Sequence, residues 1–155
     1  MQEQYWRMQM HPADPGSAVN HSIQCISRGY IGLDFKETVG DLTGVDRSEL
    51  PGKQQKYMDF ATPMKEGDFV LIVAHHFPLA LVKVSGDYNH IKEHDENLGI
   101  WCTHFREIEL LGYYADWKTN AHDWDKTTMT DTISKLGRDT GSGRLISEWR
   151  ETYGW

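Results

Sequence analysis

The sequence predicts an α+β fold, a small, strongly bent mixed β-barrel or partly closed sheet with flanking helices. Three observations lead there. Segments of period-two apolar alternation interleave irregularly with segments at helical spacing, in the order strand, helix, strand, short helix, three strands, two helices. A hairpin stands at the centre, where the apolar run 69–74 is followed by a reversal at His75-His76-Phe77-Pro78 and a returning strand over 79–85. The repeated strand-helix units of a doubly wound parallel sheet are absent. With 155 residues, 39% of them hydrophobic, the chain suits a single domain over 1–155, because a domain of that size hides roughly 68–70% of its unfolded surface.

Each element has its own reason. Residues 4–10 alternate aromatic and long apolar side chains with polar ones and end at His11-Pro12, which suits a first strand. Asp14 then offers an N-cap with Pro15 at the first helical position. Val19, Ile23 and Ile26 recur at helical spacing and Gly29 stops the element, so a helix is predicted over 15–28. Residues 30–35 read as a short strand in which Gly32 leaves room for close backbone approach. The stretch 36–52 is rich in turn residues, and 53–61 suits a short helix. Residues 64–68 turn into the hairpin, Gly86-Asp87-Tyr88 closes its second strand, and 89–97 reads as an exposed loop. Over 101–114, Phe105, Ile108 and Leu110 alternate against His104, Arg106 and Glu109, predicting one or two strands. Beyond 115 the character changes. Segments 131–137 and 143–152 read as two short helices with Ile133, Leu136, Leu145, Ile146 and Trp149 as their buried stripe, so 115–155 is expected to be a helical extension packed on the domain.

Composition excludes several classes of function. Cys25 and Cys102 stand 77 positions apart without a CxxC pair, which is no disulfide framework. No apolar run approaches the roughly 20 residues that span a bilayer, and the first ten residues lack a signal-peptide core, so a cytoplasmic protein with reduced thiols is expected. Walker A, GxSxG and HExxH patterns are missing, and neither cysteine is marked as activated; the expectation is a protein without catalytic activity or cofactor. His75-His76 and the pair His90 and His94 lack a third ligand at a recognisable spacing, so no metal is expected.

The net charge of -7 opposes blanket phosphate neutralisation, since every phosphate contact needs a Lys or Arg. The acid is concentrated: residues 86–131 carry a net -6, residues 1–85 only -2, and residues 132–155 a net +1. Phosphate contacts would therefore come from Arg28, Lys36, Arg47, Lys53 and Lys56, and from Lys135, Arg138, Arg144 and Arg150 near the C-terminus. Gly141, Ser142 and Gly143 could add backbone donors at a helix start. The same side chains equally suit ordinary solvated faces.

Six Trp, seven Tyr and five Phe remain to be explained, and several of them sit beside Gly, Asp or His. Gly86-Asp87-Tyr88 sets a flexible backbone, a carboxylate and an aromatic face side by side. That is the chemistry for stacking on a planar ring and accepting a hydrogen bond from its exocyclic amine, although a hairpin alone would also explain the segment.

The ordered series Tyr5-Trp6-Arg7, 29–35, 65–71, 79–88 and 101–108 resembles the EVE branch of the PUA-like superfamily. It is closest to the YTH-related domains at the N-terminus of McrB-type modification-dependent restriction proteins, over residues 4–114. The resemblance implies a bent barrel that extrudes one modified base from a duplex into an aromatic pocket, offsetting a few kcal/mol of lost stacking and pairing. It nominates Trp6, Phe35 and Tyr88 as walls, Asp34 and Asp87 as readers of the base edge, and Ile31, Gly32 and Leu33 for backbone and apolar contact. His76, Trp101 and His104 rank second. The chain departs from the family pattern at Phe35, where a Trp or Tyr is usual and where Phe cannot donate a hydrogen bond. A Trp in a first strand is more often core than cage, so Trp6 suits a core as well.

The implied function is recognition of a methylated or hydroxymethylated base in double-stranded DNA, as the specificity part of a restriction or defence system. A McrB-type AAA+ GTPase or nuclease would be the partner or a fused domain, and no membrane is involved. The alternatives are a PUA-like RNA-binding domain, a pocket for a small nucleotide derivative and a small metal-dependent hydrolase. The preferred base, adenine-N6, cytosine-C5 or cytosine-N4 modified, stays open.

Overall fold

The fold is built around one strand buried on both faces. In the computed structural model, which describes residues 2–10, 15–33, 39–74, 77–93, 95, 97, 102–118 and 132–155 (without the side chains of 15–18 and 53), that strand is β3, Phe69–Ala74. Every residue of β3 is buried, which is why it reads as a continuous apolar run rather than an alternation. Chain order is β1 (Tyr5–Met8), α1 (Pro15–Ser27), β2 (Tyr30–Leu33), α2 (Gly52–Gln55), α3 (Met58–Ala61), β3, β4 (Phe77–His90), β5 (His104–Tyr113), α4 (Tyr114–Trp117), β6 (Ile133–Leu136) and α5 (Gly141–Tyr153).

Helix α1 starts at Pro15 and stops where Gly29 takes a φ of 89°, a left-handed conformation that costs glycine little. The helix predicted over 53–61 is two short ones, α2 and α3. Strand β4 runs past Tyr88 to His90, so Gly86-Asp87-Tyr88 does not end the strand. It forms an irregularity inside it, where pairing with β5 breaks between Val84 and Tyr88 and resumes at Tyr88↔Arg106.

The six strands form one sheet in the order β2-β5-β4-β3-β1-β6. Among the described residues its mixed character comes from the parallel pair of β1 with β3; the other pairs there are antiparallel. The sheet is open and not the expected barrel. Its outer strands are β2, paired with β5, and β6, paired with β1.

Strand β6 corrects a second expectation, that 131–137 is helical. Ile133 and Leu136 match helical spacing, but Met8 and Tyr5 on β1 pair with them across an antiparallel ladder. The tertiary demand of β1 for a second partner outweighs weak local preference.

Alternate residues of the central strands feed two cores. On one face Trp6, Met8, Val70, Ile72 and Val82 pack with Ile26 of α1 and Phe60 of α3. On the other, Tyr5, Phe69, Leu71 and Leu81 pack with Leu145, Ile146 and Trp149 of α5 and with Tyr114 of α4. Full burial of each large apolar side chain contributes about 1.5–3 kcal/mol. No helix among the described residues is long and apolar enough to cross a membrane.

Candidate functional site

The irregularity in β4 creates the candidate site. Where Ser85, Gly86 and Asp87 leave the ladder, a cavity of about 340 Å³ opens between the bulge and the turn Leu42–Gly44, with Ala61, Thr62 and Met64 on its third side. Asp87 and Tyr88 both line it, and Arg106 lies at its base. Asp87 is exposed and Tyr88 half-buried.

Tyr88 is held by a chain of three hydrogen bonds. The Nε2 of His104 lies 3.0 Å from the carbonyl of Val39, which can only accept, so Nε2 carries the proton and Nδ1 keeps its lone pair. That lone pair accepts the Tyr88 hydroxyl proton at 2.6 Å. The Tyr88 oxygen in turn accepts the Leu42 N–H at 3.0 Å. The phenol thus fastens the 39–42 segment to the sheet. The ring lies over the His104 imidazole, 5.9 Å between centroids and 27° between planes, and meets Phe60 edge-on at 6.2 Å. Burial pushes the Tyr88 hydroxyl up to about 12; the Leu42 N–H opposes this and the charge of Asp41 adds to it.

Arg106 is 3% exposed. Its Nε and Nη2 donate to the Gly86 carbonyl at 3.1 and 3.0 Å, and its Nη1 donates to the carbonyls of Phe60 and Met64. The guanidinium therefore ties the bulge to the end of α3. Burial lowers its pKa, while Asp87, Asp68 and Glu66 act in the opposite sense. In the sequence Arg106 is only a polar member of an alternating strand, a pattern that does not reveal its burial.

The other nominated residues fall elsewhere. Trp6 lies in the core and not on an open wall: it is 1% exposed, and its indole N–H donates to the Asp68 carboxylate at 3.0 Å. Ile31 and Leu33 are likewise fully buried, and β2 pairs along β5. The close approach at Gly32 comes from the chain itself. A Cβ there would lie 2.5 Å from the Cys102 Cβ and 2.6 Å from the His104 carbonyl oxygen. Asp34, Phe35, Lys36, His75, His76, His94 and Trp101 lie outside the described residues, as does the side chain of Lys53.

Among the basic candidates, Arg28, Lys56, Lys135 and Arg144 are exposed, with Arg28 donating to the Asn97 carbonyl. Arg47 is paired with Asp59. Arg138 and Arg150 are engaged inside the molecule: Arg150 donates to Glu3 and to the Tyr5 hydroxyl, and Arg138 donates to the Glu3 carbonyl and lies 3.9 Å over the Tyr5 ring. The start of α5 is capped by Thr140, whose side chain accepts the Gly143 N–H, and Gly143 packs against the Gly137 carbonyl. The Gly143 N–H is thus already engaged and is not a free donor for a phosphate. Among the described residues no group of three His, Cys, Asp or Glu is placed to hold a metal ion.

The described residues form an α+β protein with a mixed open sheet and, at a strand bulge, a partly apolar, partly charged pocket. Among solved structures the chain is similar to the YTH domain of Zygosaccharomyces rouxii MRB1 protein in complex with N6-methyladenosine RNA, with 9% identity and a TM-score of 0.48 over 95% of this chain and 86% of that one. No protein-family model matches the sequence, and no curated protein matches it.

Proposed function

We propose that this chain is a non-enzymatic recognition module for nucleic acid that reads a modified base extruded into a pocket. The observation that carries the reading is the cavity at the β4 bulge. There the expected carboxylate and aromatic side chain, Asp87 and Tyr88, meet beside a buried cation in a space of ligand size. The ordered sequence motifs that resemble EVE and YTH-related domains support the same reading. Duplex DNA is the proposed polymer, and the specificity role in a restriction or defence system, beside a McrB-type partner, extends that proposal.

With a net charge of -7, affinity depends on the base pocket more than on phosphate contacts. The test is a binding panel of short duplexes and single strands, DNA and RNA, each with one central methylated or hydroxymethylated base or none. Tighter binding of a modified duplex than of its unmodified twin supports the proposal. Equal affinity for every modified and unmodified oligonucleotide sinks it, and preference for modified RNA moves the reading to an RNA-binding domain. A salt titration on the same panel should show a shallow fall of log affinity with log salt, in keeping with few phosphate contacts.

A further inference from the structure

We propose that His104 is a proton-operated fastening for one wall of the β4 cavity: proton uptake at its Nδ1 releases the Leu42–Gly44 turn from Tyr88 while Val39 stays anchored. The inference goes beyond base recognition and holds for any occupant of the cavity.

The wall is lightly tied. Leu42, Thr43 and Gly44 line the cavity. Among the described residues the segment 39–45 reaches the sheet through two hydrogen bonds, Val39 to the His104 Nε2 and Leu42 to the Tyr88 oxygen. Its other hydrogen bonds, Thr43 to Asp41 and Val45 to Leu42, stay within the segment. Both ties meet at one imidazole, because the Tyr88 hydroxyl is oriented by donating its proton to the His104 Nδ1.

That Nδ1 lone pair is the place where the neutral ring can take a proton, since Nε2 already carries one. Once protonated, Nδ1 turns from acceptor to donor. Its proton, the hydroxyl proton and the Leu42 N–H then crowd one phenol oxygen that previously dealt with two. The imidazolium makes the stronger, charge-assisted bond, so the neutral Leu42 donor is the one displaced. His104 is fully buried. A charge there is costly without water, and an opened wall admits it.

The surrounding charges act in both directions. His90, paired across β4 with its ring centroid 4.9 Å away, and the buried Arg106 further along β5 oppose a new positive charge. Asp41, exposed on the segment itself, interacts with both histidines and favours it. The described part of β2 beside His104, Tyr30–Leu33, brings neither carboxylate nor cation. An occupant that needs the closed wall binds the neutral form better and, by linkage, holds the proton off.

The test follows the full 155-residue chain by NMR from pH 8 to pH 5, the range in which histidine ordinarily changes charge. At the alkaline end the His104 ring nitrogens should show the Nε2–H tautomer. As the ring gains its second proton, hydrogen-exchange protection of the Leu42 amide, taken relative to an unstructured peptide at each pH, should fall about tenfold with the same midpoint. The amides of β3 should keep their protection. A ring that stays neutral throughout, an Nδ1–H tautomer at the start, or Leu42 protection indifferent to ring protonation overturns the proposal. A loss shared by β3 is global unfolding and overturns it equally. In Tyr88→Phe the Leu42 amide should be poorly protected across the whole range, and a surviving pH response there overturns the assignment. His90→Asn should leave the response in place; its disappearance makes His90 the sensor instead and removes His104 from the role.

Discussion

Tyr88 fastens the 39–42 segment to the sheet and lines the cavity proposed to take a base, and these two roles separate by substitution. Tyr88→Phe keeps the ring but removes the hydroxyl that accepts from Leu42 and donates to His104. It should cost about 1–2 kcal/mol of stability in urea unfolding, with base binding weakened less than in Tyr88→Ala. Tyr88→Ala should lose a further 1–3 kcal/mol or so of stacking from binding to the modified oligonucleotide. Gly32→Ala places a methyl group against Cys102 and the His104 carbonyl. A loss of about 1–3 kcal/mol is expected, measured as a lower urea midpoint at unchanged slope. Gly32 was legible in the sequence as a site of close approach, and Tyr88 as an aromatic beside the Gly86-Asp87 irregularity. Trp6 was not resolved, because an indole in a first strand is compatible with cage and core alike. Only the Asp68 carboxylate that receives its N–H decides for the core.

At the scale of elements, Asp68 joins the first strand to the third. Its carboxylate accepts the Gln4 backbone N–H, the Gln4 side-chain amide, the Trp6 indole and the Lys65 N–H, four donors from two separate segments. Asp68→Ala leaves these donors unpaired beside the parallel β1/β3 pair. It should destabilise the chain by at least 1.5–3 kcal/mol or so, read by thermal or urea unfolding. The helix α1, the β3/β4 hairpin and α5 were legible because spacing and punctuation agree there with tertiary need. β6 was not, since four residues with apolar ends fit a helix turn and an edge strand equally well, and only β1's unpaired side distinguishes them. The length of β4 was hidden for a related reason: Gly-Asp ordinarily ends a strand, whereas here Arg106 binds the Gly86 carbonyl and lets the strand resume beyond a bulge. The site followed the same division, its Asp87 and Tyr88 visible locally and its Arg106 visible only once β5 lay against that bulge.

At the scale of the whole molecule, charge and pH set the working range. Glu3 is held below its ordinary value by a backbone hydrogen bond and by Arg150. A carboxyl lowered on folding stabilises above its unfolded pKa of 4.5, and that contribution is lost as pH falls through the folded value. The Tyr88 hydroxyl, raised to about 12, gives the opposite edge: its contribution is whole below about 10 and disappears as pH climbs towards 12. Melting temperature against pH should therefore fall on both flanks, and Tyr88→Phe should flatten the alkaline flank while leaving the acid flank in place. The topology has a further consequence for how the chain is made. β1 lies between β3 and β6, with Tyr5 paired to Phe69 on one side and to Leu136 on the other. During synthesis β1 emerges well before β6, so one of its two hydrogen-bonding edges stays open until residues 133–136 have followed. Nascent chains stalled before Ile133 should be more prone to aggregate and to proteolysis than chains that extend past α5, which ties closure of the sheet to the synthesis of β6.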